Sequence, residues 1–169
     1  MITIVDYGSQ YTQLIAKRIR SFHVYSRIVT CRDCVDEILK NNPTGIILSG
    51  GPASLYEEDA PKLDTHLISK ASVPILGICY GHQLLMDEFG GKIERGGSGE
   101  YGRAEMTMTE ENVLTTGLPK DTHVWMSHRD HVVELPNGFE RIASSPATPN
   151  AIVWNQKKQI WSLQFHPEV

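Results

Sequence analysis

Gly77-Ile78-Cys79-Tyr80-Gly81-His82-Gln83 follows a short apolar run, Val73-Pro74-Ile75-Leu76, and leads into Leu84-Leu85-Met86-Asp87-Glu88-Phe89, a helical pattern closed by Gly90-Gly91. The order is strand, tight turn, helix. Gly-x-Cys-x-Gly in that setting is the sulfur form of the nucleophile elbow known for Gly-x-Ser-x-Gly enzymes. Two glycines let the backbone turn without a Cβ clash, which lifts the central side chain clear of the sheet. A cysteine there meets the unpaired N–H groups and positive end of a helix dipole, and both favour thiolate over thiol. A structural core cysteine needs no such frame. The stretch therefore predicts an α/β fold and makes Cys79 the candidate nucleophile.

Upstream, the same alternation repeats. Strands are expected at 2–5, 24–29, 45–48 and 73–78, and helices at 11–20, 35–40, 61–69 and 83–89. Strands separated by helices of this length imply a parallel sheet, and the nearly all-apolar Ile46-Ile47-Leu48 suits a sheet covered on both faces. After Lys92 the pattern changes to short β-type segments at 105–109, 124–126, 132–135, 140–144, 151–154 and 160–164. Turn signals separate them: Pro136-Asn137-Gly138, 146–150 and the hairpin tip at 155–159. These read as antiparallel strands that extend the same sheet, so residues 1–169 are expected to form one domain. The glycine-rich stretch 95–103 is a candidate mobile loop.

Bulk properties narrow the classes. A chain of 169 residues is enough for one full core. A net charge of −4, with no basic stripe, gives no support to nucleic-acid binding. No apolar run approaches a membrane span, and the N-terminus reads as a strand that starts at once rather than a basic-headed leader. Three cysteines, one of them in the elbow, fit a reducing cytosol better than a disulfide scaffold, so the expected location is cytoplasmic.

Two further motifs can converge on Cys79. Ser49-Gly50-Gly51-Pro52 follows the third strand directly, at the carboxyl end of a parallel strand, where α/β sheets bind ligands. Its N–H groups, with that of Tyr80, can form an oxyanion hole. His166-Pro167-Glu168 closes the sequence. In an extended segment residues i and i+2 face the same way, so the Glu168 carboxylate can orient the His166 imidazole. Cys79, His166 and Glu168 then have the roles of nucleophile, base and orienter.

Together, Gly77–Gln83, Ser49–Pro52 and Phe165-His166-Pro167-Glu168 resemble a class I (triad) glutamine amidotransferase domain. Asp6-Tyr7-Gly8-Ser9-Gln10-Tyr11, Tyr80 after the cysteine, Trp125-Met126-Ser127-His128 and Val169 after the acid are most similar to the amidotransferase domain of GMP synthases. The resemblance covers essentially the whole chain. It implies a flavodoxin-like, mostly parallel sheet flanked by helices, with an antiparallel β extension. It also implies roles. Cys79 attacks the side-chain amide of L-glutamine, His166 moves the proton and Glu168 orients His166. Gly51 and Tyr80 hold the oxyanion, and Gln83, Ser127 and His128 with the Gly50 and Gly51 backbone surround the substrate. The ammonia would serve conversion of XMP to GMP by an ATP-pyrophosphatase synthetase domain. No cofactor or metal is expected in this domain; ATP and Mg²⁺ belong to the absent synthetase. Two other readings stay open: the same chemistry in anthranilate or carbamoyl phosphate synthesis, and a catalytically silent docking module.

Two departures from the family pattern carry expectations. Position 129 is Arg where the family often has Gly, and a positive φ there would strain it. The family normally continues beyond the position of Val169, so the domain reads as C-terminally truncated. Terminal residues fray unless tied down, so the 166–168 arm is expected to be mobile or displaced from Cys79. Cys31-Arg32-Asp33-Cys34 lacks the second pair of a zinc site, and His128-Arg129-Asp130-His131 lacks a third ligand at suitable spacing. His82 is expected to pack rather than act as the base.

Overall fold

The computed structural model describes residues 1–169, apart from the side chains at positions 97 and 98. Four βα units come first: β1 (Ile2–Asp6), α1 (Thr12–Ser21), β2 (Ser26–Thr30), α2 (Val35–Ile38), β3 (Gly45–Leu48), α3 (Thr65–Lys70), β4 (Ile75–Ile78) and α4 (Tyr80–Glu88). Five strands follow: β5 (Lys92–Met108), β6 (Asp121–Glu134), β7 (Glu140–Ser144), β8 (Ile152–Asn155) and β9 (Ile160–Leu163). All nine join one sheet in the order β2-β1-β3-β4-β9-β8-β7-β5-β6. The first five in that order run parallel, and from β9 outward every pairing is antiparallel. The chain is thus a mixed α/β sheet in which β9 bridges the halves, paired with β4 on one side and β8 on the other.

Period-two burial explains the layers. Val5, Ile46, Leu48 and Ile75 pack with Leu67 of α3 and Leu84, Leu85 and Met86 of α4. Their neighbours Ile4 and Ile78 pack with Ile15 and Ala16 of α1. Met106, Met126, Ile142, Ile152, Leu163 and Phe165 form the core of the antiparallel half.

Some boundaries differ from the sequence reading. The helix expected at 61–69 starts at Thr65, where the Asp64 side chain accepts the His66 N–H at 2.9 Å. That cap fixes the start, and residues 61–63 lie outside the helix, with the Pro61 carbonyl accepting the Tyr80 hydroxyl. The segments at 124–126 and 132–135 are one strand, β6, since β5 supplies a partner along the whole length. The stretch 95–103 runs within β5, with its register to β6 broken between Arg95 and Glu100. Positions 97 and 98 of that expectation lie outside the described side chains.

Candidate active site

Parallel β1, β3, β4 and β9 lie side by side, so the segments leaving their carboxyl ends meet in one place. These segments are 7–11 after β1, 49–54 after β3, Cys79 after β4 and 164–168 after β9. Asp6 shapes the first: its Oδ1 accepts the Gly8 N–H at 2.9 Å and the Thr12 hydroxyl at 2.7 Å. Ser49 binds the first to the second. Its Oγ accepts the Tyr7 N–H at 3.0 Å, and its carbonyl accepts the Gly81 N–H at 3.0 Å.

Cys79 stands at the junction of β4 and α4 with φ 51° and ψ −103°. That conformation costs an L-residue about 1–3 kcal/mol and persists only where the surroundings enforce it. Here they do. The Cys79 N–H donates to Leu163 O at 2.7 Å, and the Gln83 N–H donates back to Cys79 O at 3.1 Å. The glycines of the motif avoid a Cβ clash, as the sequence reading expects. Neither Gly77 nor Gly81 has positive φ. They permit close approach. A Cβ on Gly77 would lie 2.7 Å from Gly81 O, and one on Gly81 would lie 2.8 Å from Leu48 Cβ. The turn strain falls on the cysteine itself. Its side chain is also less exposed than the elbow suggests: Cys79 is only 5% exposed, at the floor of a cleft.

The cleft encloses about 610 Å³ and is lined by Cys79, Tyr80, Gln83, Gly51, Ser127, His128 and His166, among others. His166 Nδ1 lies 2.8 Å from Glu168 Oε1, and both residues are buried. With Nδ1 so engaged, Nε2 is the nitrogen left for the thiol. Burial pushes the imidazolium down, but the neighbouring Cys79 and Glu168 side chains outweigh that and raise its pKa to about 9. Tyr11 closes one side of the ring, edge to face at 5.0 Å. The arm is not displaced, contrary to the sequence expectation. The His166 N–H donates to Trp125 O at 2.9 Å, and Arg18 Nε donates to Glu168 O at 3.0 Å. Both tethers come from elsewhere in the sheet and helix layers, which a terminal position alone does not reveal.

Gly50 and Gly51 are glycines because nothing larger fits. A Cβ on Gly50 would sit 2.9 Å from His166 Cε1, and one on Gly51 2.6 Å from Tyr7 O. The backbone N–H groups of Gly51 and Tyr80 have no acceptor among the described residues. The Tyr80 ring is turned away, with its hydroxyl donating to Pro61 O at 2.7 Å. Gln83 sits one helical turn after Cys79, its Nε2 donating to Asp130 O at 2.7 Å, so its carbonyl oxygen is the group free for a ligand. The Ser127 carbonyl lies 3.7 Å from Cys79 Sγ. His128 is buried, with Nδ1 3.1 Å from Asp130 O and Nε2 3.2 Å from Thr148 Oγ1.

Every candidate site residue except Gly50 and Glu168 thus lines the cleft, and those two lie against His166. Arg129 lies in β6 without positive φ and lines the rim, so it is unstrained. His82 is fully buried, its Nδ1 2.6 Å from Ser162 Oγ, which fits a packed and not a proton-moving ring. Cys31 and Cys34 are free, and no cluster of metal ligands occurs among the described residues. Sequence reasoning missed Tyr11, Ser54 and Asp130 in the cleft. Asp130 had a signal in Ser-His-Arg-Asp, whereas Ser54, which donates to the Asp130 carboxylate, had none.

A family model, Glutamine amidotransferase class-I, matches residues 3–169. This chain belongs to the class I glutamine amidotransferase family. It is 53% identical over 99% of its length to the glutamine-hydrolysing GMP synthase of Aquifex aeolicus and 49% identical over its full length to that of Staphylococcus carnosus. The chain spans about a third of the length of these curated relatives, 33% in both cases. The crystal structure of a GMP synthase subunit protein from Thermoplasma acidophilum matches with a TM-score of 0.86 at 30% identity, covering 99% of this chain and 84% of that one. A glutamine amidotransferase structure from Thermotoga maritima shares the fold, with a TM-score of 0.77 at 22% identity, over 99% of this chain and 76% of that one.

Proposed function

We propose that this amidotransferase chain hydrolyses L-glutamine to glutamate and supplies the ammonia for conversion of XMP to GMP. The observation that carries the reading is the buried line Cys79–His166–Glu168 at the floor of a cleft with two unpaired N–H groups beside it. The attacking group in a cysteine enzyme is the thiolate, and its proton has a place on His166 Nε2. Sulfur attack on the side-chain amide carbon of glutamine turns the amide oxygen into an oxyanion. Donors fixed in advance, here Gly51 and Tyr80, stabilise it without reorganising. His166, its pKa raised to about 9, delivers its proton to the departing nitrogen as ammonia leaves. The γ-glutamyl thioester remains. His166, now neutral, takes a proton from water, which cleaves the thioester to glutamate. Glu168 keeps Nδ1 bonded throughout.

Gln83, Ser127 and His128, with the Gly50 and Gly51 backbone, surround the substrate glutamine. The partner is an ATP-pyrophosphatase synthetase domain, on the same longer chain or on a separate one, and ATP and Mg²⁺ act there. The setting is the cytoplasm; no helix among the described residues is long and apolar enough to cross a membrane. The names of the most similar relatives support this pathway over anthranilate or carbamoyl phosphate synthesis. The test is glutamate release from glutamine by the chain, alone and with a synthetase partner, ATP and XMP, together with labelling by an electrophilic glutamine analogue. The expected label is on Cys79 and spares Cys31 and Cys34. Equal labelling of the three, or no glutamate with the partner present, overturns the reading.

A further inference from the structure

Behind the cleft, β5 and β6 place Glu100 directly opposite His128. The Glu100 side chain is 14% exposed and that of His128 is 3% exposed. Thr148 and Ser145, in the turn between β7 and β8, complete a closed cluster and are both buried. Ser145 Oγ lies 3.0 Å from both Glu100 oxygens, Thr148 Oγ1 lies 2.8 Å from Glu100 Oε2 and 3.2 Å from His128 Nε2, and that Nε2 is 3.4 Å from Glu100 Oε2.

Counting hydrogens decides the protonation. Asp130 O can only accept, so His128 Nδ1 carries a hydrogen. The Ser145 hydroxyl has one hydrogen, given to Glu100. The Thr148 hydroxyl also has one. If it goes to Glu100, His128 Nε2 faces an oxygen lone pair and a carboxylate with nothing to share. If it goes to Nε2, Thr148 Oγ1 and Glu100 Oε2 stand 2.8 Å apart with no hydrogen between them. One proton beyond neutral histidine and ionised carboxylate satisfies every contact. Unpaired polar contacts in a buried site are costly, and this geometry favours keeping that proton. The other charged and titratable groups around His128 are Asp130, His131 and Arg129 on β6 and His82 on α4. Burial outweighs the opposing pull of the Glu100 carboxylate and holds the imidazolium of His128 below its usual range, so the shared proton rests on the contact geometry.

We propose that Glu100 is a positioning residue: Glu100 and His128 hold one proton between them, and the cluster so closed fixes the 127–130 backbone over Cys79. That backbone supplies the carbonyl that holds Gln83 and the carbonyl that faces the thiol. The consequence for glutamine binding rests on the function proposed above; the shared proton does not.

The test on the chain is ¹⁵N-histidine and ¹³C-carboxyl NMR at pH 7, in the native chain, Glu100→Gln and Glu100→Ala. Native chain should show one proton on the pair, as doubly protonated His128 or protonated Glu100. Glu100→Gln, whose amide donates to Nε2, should show His128 neutral with hydrogen on Nδ1 only. Ionised Glu100 beside neutral His128 in the native chain overturns the proposal. In glutaminase assays Glu100→Ala should raise KM about tenfold with a smaller change in kcat, and Glu100→Gln should restore KM. Equal KM in the two variants overturns the positioning role. A shared proton in a chain that releases no glutamate would leave this cluster standing and remove the functional reading instead.

Discussion

Arg18 and Glu168 are 150 positions apart in sequence, and Arg18 Nε donates to the Glu168 carbonyl at 3.0 Å. The bond joins α1, which packs on one face of the sheet, to the segment that carries both His166 and Glu168. A carboxylate that must hold an imidazole at 2.8 Å needs its own backbone held, and the segment has few other anchors. The His166 N–H on Trp125 O fixes one end of the arm, and Arg18 fixes the other.

Arg18→Ala is therefore expected to lower glutaminase kcat about tenfold, the scale of one lost hydrogen bond from a charged donor, while leaving KM for glutamine little changed. Arg18→Lys should recover only part of it, because a flexible ammonium does not reproduce the planar donor. Steady-state assays of both variants check this. An Arg18→Ala chain with native kcat would mean that the arm is held without this bond.

The three aligned side chains should lose unequal amounts of activity. Cys79→Ala removes the nucleophile and should cost on the order of 10⁴-fold or more in kcat without unfolding the chain. His166→Ala should approach that loss. Glu168→Gln should cost less, since an amide oxygen still accepts from Nδ1 and only the charge that supports the imidazolium is gone. Assays paired with circular dichroism separate catalysis from folding. A Glu168→Gln chain as inactive as His166→Ala would reverse this order of roles.

Much of this arrangement was legible because it depends on local sequence. The Gly-x-Cys-x-Gly turn, the glycines after β3 and the i, i+2 pair His166 and Glu168 each announce themselves within a few residues. The α/β alternation to residue 92 follows from periodicity. Contacts between distant segments were not legible. No local pattern marks Arg18 as the anchor of Glu168, Ser54 as the partner of Asp130, or Glu100 as the neighbour of His128. That Gly77 and Gly81 avoid a Cβ clash was legible, but a turn glycine and a close-packing glycine look the same in sequence. Only the position of Leu48 and Leu85 against them tells the two apart.

That distinction is itself testable. Gly81→Ala places a methyl group against the Leu48 backbone, which cannot move without shifting β3, so overpacking should destabilise the fold by about 1–3 kcal/mol. Gly77→Ala meets Leu85 Cδ1, a flexible end, but also Gly81 O at 2.7 Å, and should be comparably harmful. Urea unfolding of the two variants measures both. If neither changes the midpoint, the glycines are not there for packing.

Two histidines should give stability opposite pH dependences. His82 is buried without charge, and desolvation together with nearby His128 pushes its pKa down to about 3. Its unfolded value is near 6.5. The folded state thus binds fewer protons there, so its contribution is present above about pH 6.5 and is lost as pH falls toward 3. His166 runs the other way. Its folded pKa of about 9 exceeds the unfolded one, so its contribution is complete below about pH 6.5 and is lost as pH rises through 9. Unfolding free energy should accordingly peak near pH 6.5 and fall on both sides. His82→Met should flatten the acid side, and His166→Asn should flatten the alkaline side while leaving the acid side as it was. Urea titrations at pH 4.5, 6.5 and 9.0 on the native chain and both variants give the slopes. If the alkaline slope of His166→Asn equals the native one, His166 does not hold its proton in the folded chain, and the proton it is said to hand to departing ammonia has to come from another group.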